Sequence, residues 1–111
     1  MGCKVDPSQR QMDKLIEPEP LSRYLIKDHA RFEMKRRGIT EEQVRQVLSA
    51  PGQVIEIRPG RRIYQAKLRF PEIEEGREKE KEYLLRIVVD MRQPPEVVTV
   101  YRTSKISKYW R

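Results

Sequence analysis

The stretch Asp28 to Gly52, DHARFEMKRRGITEEQVRQVLSAPG, decides the architecture. Asp28 is placed to cap a helix over His29 to Arg37, and Gly38 stands where a helix C-cap belongs. Ala30 and Met34 are four apart and share a face directed at a core, with Phe32 at its margin. Thr40 with Gln43 is a capping box for a second helix. Its apolar stripe is Val44, Val47 and Leu48, and Pro51-Gly52 ends it. The stretch is a helical hairpin with a tight glycine-containing link.

Beyond Gly52 the apolar period changes from helix-like to strand-like. Gln53 to Arg58 reads as a strand, Pro59-Gly60-Arg61 as a turn and Arg62 to Phe70 as a second strand. Tyr64, Ala66, Leu68 and Phe70 share one face of it, and Ile63, Gln65, Lys67 and Arg69 the other. Residues 71–82 hold six Glu and read as a charged connection. Tyr83 to Met91 is the strongest strand, with Arg86 interrupting one face. Arg92 to Glu96 turns the chain, and Val97 to Thr103 is the last strand. On the other side of the hairpin, Arg23 to Lys27 reads as a short strand. Short connections favour an antiparallel meander, with the helical pair on one face. The predicted fold is α+β, a two-helix hairpin on a mainly antiparallel four- to five-stranded sheet.

Residues 1–21 read as an N-terminal extension to a domain over 22–111. Asp6-Pro7 and Gln9 suit the start of a short helix, with Met12, Leu15 and Ile16 on one face. Pro18 and Pro20 end it in a proline-rich linker.

The 111 residues are 37% hydrophobic and 37% charged, with a formal charge of +7. Such a surface suits polyanionic partners. Cys3 is the only cysteine, so no intrachain disulfide forms and a reducing, cytoplasmic setting is expected. One Cys and one His do not make a tetrahedral zinc site, and no cofactor is expected. No apolar run reaches membrane-spanning length and no signal-peptide core is present, so no membrane partner is expected. Met1-Gly2-Cys3 invites a lipidation reading, but Asp6 stands where myristoylation wants Ser or Thr.

Positive charge gathers in three places: Arg31 to Arg37; Arg58, Arg61, Arg62, Lys67 and Arg69; and the tail Tyr101 to Arg111. The tail has four basic residues, no acidic ones and three aromatics, a composition that binds phosphates and stacks on bases. Its competing reading is a solvated tail whose Tyr109 and Trp110 pack back on the domain. Lys67, Arg69 and Arg86 share the sheet face away from the helices, joined by Thr99 and Tyr101 if register allows.

Cleavage of RNA without a metal needs a deprotonated 2′-hydroxyl, a neutralised phosphorane and a protonated leaving oxygen. Arg or Lys supplies the neutralisation, and Tyr, His or Lys the proton transfer. Arg62, Lys67, Arg86, Tyr101 and Arg102 form the candidate set. His29, the only histidine, is either a further acid–base candidate or a capping residue beside Tyr24 and Phe32. Arg61, Arg62, Arg69, Lys105, Lys108 and Tyr109 are the candidate nucleic-acid contacts. There is no phosphate loop, Ser–His–Asp order or metal-ligand spacing.

His29-Ala30, Met34 to Thr40, Val44 and Val47-Leu48 before Pro51 resemble the opening of a small prokaryotic family of unknown function grouped with RelE/ParE-like toxins. Arg61 to Tyr64, Leu84 to Val89 and Val98 to Arg102 with Lys105 fit the same pattern, so the resemblance spans about 22–108. It implies a RelE-like fold, with a curved antiparallel sheet. It also implies membership of a type II toxin–antitoxin pair, action on RNA or ribosome-bound mRNA, and an acidic antitoxin as partner. Carried over by position, it points at Lys67, Arg86, Tyr101 and Arg102, with Tyr109 in the tail. Some endonucleases of that group use a His or Glu near the C-terminus, whereas nothing after Glu96 is acidic here. The alternative is a non-catalytic basic module for nucleic acid or an acidic protein.

Overall fold

The computed structural model describes residues 13–111. Helix α1 (Asp28–Arg37) starts one residue earlier than expected. Lys27 flanks it without a side-chain cap, and its carbonyl accepts from the Arg31 N–H at 2.9 Å. Asp28 therefore lies in the first turn, where its charge favours the helix dipole instead of capping. At the other end Gly38 adopts φ 69°. The Ile39 N–H donates to the Met34 carbonyl at 2.8 Å, and Met34 and Ile39 are both in the core. Helix α2 (Glu41–Ser49) starts with the expected capping box. Gln43 N–H donates to Thr40 Oγ1 at 3.1 Å, and Thr40 N–H to Gln43 Oε1 at 2.9 Å.

Six strands form one sheet in the order β1 (Lys14–Ile16), β3 (Gln53–Arg58), β4 (Arg61–Glu74), β5 (Arg77–Asp90), β6 (Glu96–Thr103), β2 (Leu25–Ile26). All neighbours are antiparallel except β2, which lies parallel to β6. The architecture is α+β, with more strands than expected. The extra one is β1. Leu15 and Ile16, expected on a short helix, are instead in this strand, opposite Ile55 and Val54. So short a helix cannot satisfy its own backbone, whereas the edge of β3 offers ready partners. The cap residues Asp6, Pro7 and Gln9, and Met12, lie outside the described residues.

One sheet face carries the helices. Val54, Tyr64, Phe70, Leu85, Ile87, Val89, Val97 and Val100 form a core with Ala30, Met34, Val44, Val47 and Leu48 of the helices. Phe32 points away from it, 62% exposed. Arg37 ties α1 to β6 by donating to the Val100 carbonyl at 2.9 Å, and Glu33 holds Arg37 at 3.0 Å. A register shift between Val88 and Val89 lets Val97 and Val100, three apart, both face the core.

Residues 71–82, expected to be a connection, are strand. β4 and β5 pair without a break from Arg61–Asp90 to Glu74–Arg77, and Glu75 (φ 54°) and Gly76 (φ 75°) turn the ribbon. Positive φ at both turn positions suits a two-residue hairpin. The charges looked loop-like because neither face is apolar, but register sets opposite signs across the strands, Glu72 opposite Lys79 and Glu74 opposite Arg77, and Lys79 Nζ reaches the Glu74 carboxylate at 3.4 Å. The β5 edge of this ribbon is unpaired among the described residues. Arg77, Lys79 and Lys81 alternate there with Glu78, Glu80 and Glu82. A second copy pairing antiparallel about a dyad would set residues of like parity, hence like charge, opposite one another. The pattern disfavours self-association.

At the base of the ribbon, Arg61 Nε and Nη2 donate to the Asp90 carboxylate at 2.6 and 2.9 Å. These bonds, outweighing burial, hold the Asp90 carboxyl below its ordinary value of 3.8. A depressed folded value means that the pair stabilises the protein above pH 3.8 and loses that contribution as pH falls through the lower folded value. Asp90→Asn should therefore lower urea-unfolding stability at neutral pH and leave it nearly unchanged well below that range. A parallel loss at every pH would refute the assignment. In the same assay Thr40→Ala should cost about 1 kcal/mol and Leu85→Ala about 3 kcal/mol, since packing outweighs capping.

Candidate nucleic-acid interface

The outer sheet face, away from the helices, carries a row of polar side chains across four strands. Register sets Gln53 of β3 beside Gln65 of β4, Gln65 beside Arg86 of β5, and Arg86 beside Tyr101 of β6. Gln65 is 0% and Arg86 4% exposed. Arg86 Nε donates to Gln65 Oε1 at 2.8 Å and Arg86 Nη1 to Tyr101 Oη at 2.6 Å. A guanidinium only donates, so Gln65 must turn its oxygen to Arg86 and its nitrogen away. That nitrogen donates to Gln53 Oε1 at 2.9 Å and to the Tyr109 carbonyl at 3.2 Å. No carboxylate among the described residues pairs with Arg86. Its charge is buried among neutral dipoles and aromatic faces.

The C-terminal segment covers this row. After Thr103 the chain leaves β6, makes the short helix α3 (Ile106–Tyr109) and crosses the sheet as far as β3. Arg111 N–H donates to Gln53 Oε1 at 3.1 Å, Gln53 Nε2 to the Arg111 carbonyl at 2.8 Å, and Arg111 Nη2 to Asp13 at 3.2 Å. The Arg86 guanidinium lies 4.3 Å from the Tyr109 ring centroid and 5.7 Å from that of Tyr101. Lys67 Nζ lies 4.5 Å from the Trp110 ring centroid. Gly52 makes room for this strap: a Cβ there would sit 2.9 Å from Trp110 Cη2. Tyr109 and Trp110 thus pack back on the domain, one of the two readings of the tail.

The remaining candidates divide. Lys67 and Arg69 are exposed on the outer face, and Lys105 and Lys108 on the strap, Lys108 Nζ 5.4 Å from the Tyr109 ring. These four make no ion pair among the described residues. Arg102 does not join Arg86 and Tyr101. It lies on the helix face, 4.5 Å from both the Phe70 and Tyr83 ring centroids. Strand alternation forbids the expected convergence, because Tyr101 and its neighbour Arg102 must point to opposite faces. Arg62, opposite Glu56 and 4.0 Å from its carboxylate, also faces the helix side. Arg61 is engaged by Asp90. His29 is on the helix layer, lining a groove of about 940 Å³ with Tyr24, Arg31, Glu41 and Arg45, away from the strap. The proposed catalytic set is therefore split between two faces.

Sequence reasoning missed Gln53, Gln65 and Trp110 as members of the site. The signal for Gln65 was its place, two residues from Lys67 on the same strand face; the aromatic tail signalled packing back on the domain, but not its partners Gln53 and Gln65. Among the described residues no cluster of His, Cys, Asp and Glu could hold a metal, and no helix is long and apolar enough to cross a membrane.

Fold and site define a small α+β protein with a helical layer on one sheet face and a cationic, aromatic strap on the other. Residues 26–102 match the family described as a domain of unknown function, DUF4258, and the chain belongs to that family. No curated protein and no solved structure matches the chain.

Arg86→Ala would leave Gln65 Oε1 and Tyr101 Oη without their donor beneath the strap. It should cost about 3 kcal/mol in equilibrium unfolding, whereas Arg69→Ala at the exposed face should stay within about 0.5 kcal/mol. Equal small losses would mean that the buried row contributes little.

Proposed function

We propose that the protein is a toxin-like RNA-binding protein whose interface is the strap-bearing face. The observation that carries this reading is the set of four exposed cations, Lys67, Arg69, Lys105 and Lys108, without carboxylate partners among the described residues and interleaved with the half-buried rings of Tyr101, Tyr109 and Trp110. Phosphates take the cations and bases stack on the rings. The RelE/ParE-like resemblance of the sequence adds the RNA class and an acidic antitoxin segment as a competitor for the same face. Binding is better supported than cleavage. The Arg86–Tyr101 pair favours cleavage, but its guanidinium is buried and engaged, and His29 and Arg102 lie elsewhere.

The test is a salt titration of binding to a labelled single-stranded RNA. Four phosphate contacts predict a slope of log K against log salt of about −3, and Lys105→Glu with Lys108→Glu should roughly halve it. Full-length RNA should survive the incubation. Discrete products that disappear in Tyr101→Phe would establish the endonuclease instead. Salt-independent or absent binding would turn attention to a protein partner.

A further inference from the structure

We infer that the strap conceals a second, deeper binding site for a single-stranded polynucleotide, with Arg86 at its floor and Tyr109 and Trp110 standing in for two of its bases; this rests on the RNA-binding reading above. Arg86 is a buried cation with no anion among the described residues. Burying a charge is expensive unless it is paired, so this site is incompletely compensated as it stands. Gln65 and Tyr101 supply neutral oxygens, and Tyr109 supplies a ring face at 4.3 Å. The next residue repeats the arrangement, with Trp110 4.5 Å from Lys67. Two consecutive aromatics, each against a cation of the sheet, are what two successive bases of an extended strand would present. A strand would add what the strap lacks, a phosphate for Arg86.

The strap is held lightly enough to be exchanged. None of its residues from Ser104 to Arg111 is fully buried. Its polar attachments to the sheet are the hydrogen bonds to Gln65 and Gln53 and the contact with Asp13, and half-buried Ile106 is its one aliphatic side chain, on a face that also buries Ile55 and Leu84. Segments with few buried contacts open at low cost. Lys105 and Lys108 lie on its outer side, where they can meet the RNA before the rings move.

Two variants loosen the cover without removing a cation. Tyr109→Ala uncovers Arg86. Gly52→Ala puts a Cβ 2.9 Å from the far end of the Trp110 ring, which must shift, and 3.3 Å from the Gln65 carbonyl oxygen. Binding of poly-U is measured by anisotropy for the wild type and both variants. Trp110, the only tryptophan, reports the strap through acrylamide quenching. Both variants should bind poly-U about tenfold more tightly, because the uncovered cations Arg86 and Lys67 with the sheet beneath them outweigh the stacking surface lost with the Tyr109 ring. Adding Arg86→Gln to Tyr109→Ala should abolish that gain, and poly-U should raise the acrylamide access of Trp110 in the wild type. Wild-type binding with unchanged Trp110 access, and with variants no tighter, overturns the concealed site and leaves the outer surface standing. No binding by any of the three overturns the RNA reading and the concealed site together. If inorganic phosphate alone opens the strap and poly-U does not, the site takes a free anion, and the strand is refuted. Gly52→Ala and the quenching of the wild type keep the test decisive if the Arg86→Gln double variant fails to fold.

Discussion

Arg86 lies near the middle of the widest part of the sheet, and side chains from three separate segments converge on its guanidinium: Gln65 from β4, Tyr101 from β6 and Tyr109 from the C-terminal strap. A charge in that position tolerates little error. Each neighbour must bring an oxygen or a ring face to it, and each is then constrained in turn. Gln65 has to present its oxygen to Arg86, which leaves its nitrogen to hold Gln53 and the Tyr109 backbone. The strap is drawn across the sheet by that chain of obligations. An apolar residue at 86 would leave the Gln65 oxygen without its donor and the Tyr109 ring without its cation.

The same constraint separates the two sides of the molecule. On the helix side, the sheet is closed by apolar packing and a few fixed polar ties, such as Arg37 on the Val100 carbonyl. The strap side also buries Ile55, Ile63, Leu84 and Val88, but the strap itself is fastened by hydrogen bonds and cation–ring contacts, which exchange for solvent or ligand more readily than packed hydrocarbon. Arg102, stacked against Phe70 and Tyr83 on the helix side, belongs to the packing in spite of its charge.

The long ribbon of β4 and β5 shows how charge can be read wrongly. Its Glu and Lys residues have the composition of a loop, yet they alternate so that opposite signs meet across the strands. The distinction between a solvated connection and a paired ribbon is in the pairing, which one strand's sequence does not contain. The short β1 is the same lesson for a terminus. A few apolar residues at helix-like spacing took the free edge of β3 because its backbone groups were available.

The sequence by itself determined the helical hairpin. Thr40, Gln43, Gly38 and the stripe of Val44, Val47 and Leu48 act within a few residues of one another, and local chemistry is sufficient there. It also determined the faces of the central strands, because alternation is a property of the backbone. That rule alone assigns Tyr101 and Arg102 to opposite faces. Tertiary structure decided the rest: which strands lie beside which, that Gln53, Gln65, Arg86 and Tyr101 align into one row, and that Tyr109 and Trp110 return to cover it. Those contacts join residues up to 98 positions apart, as between Asp13 and Arg111. Their energies depend on register and burial that exist only once the sheet has formed.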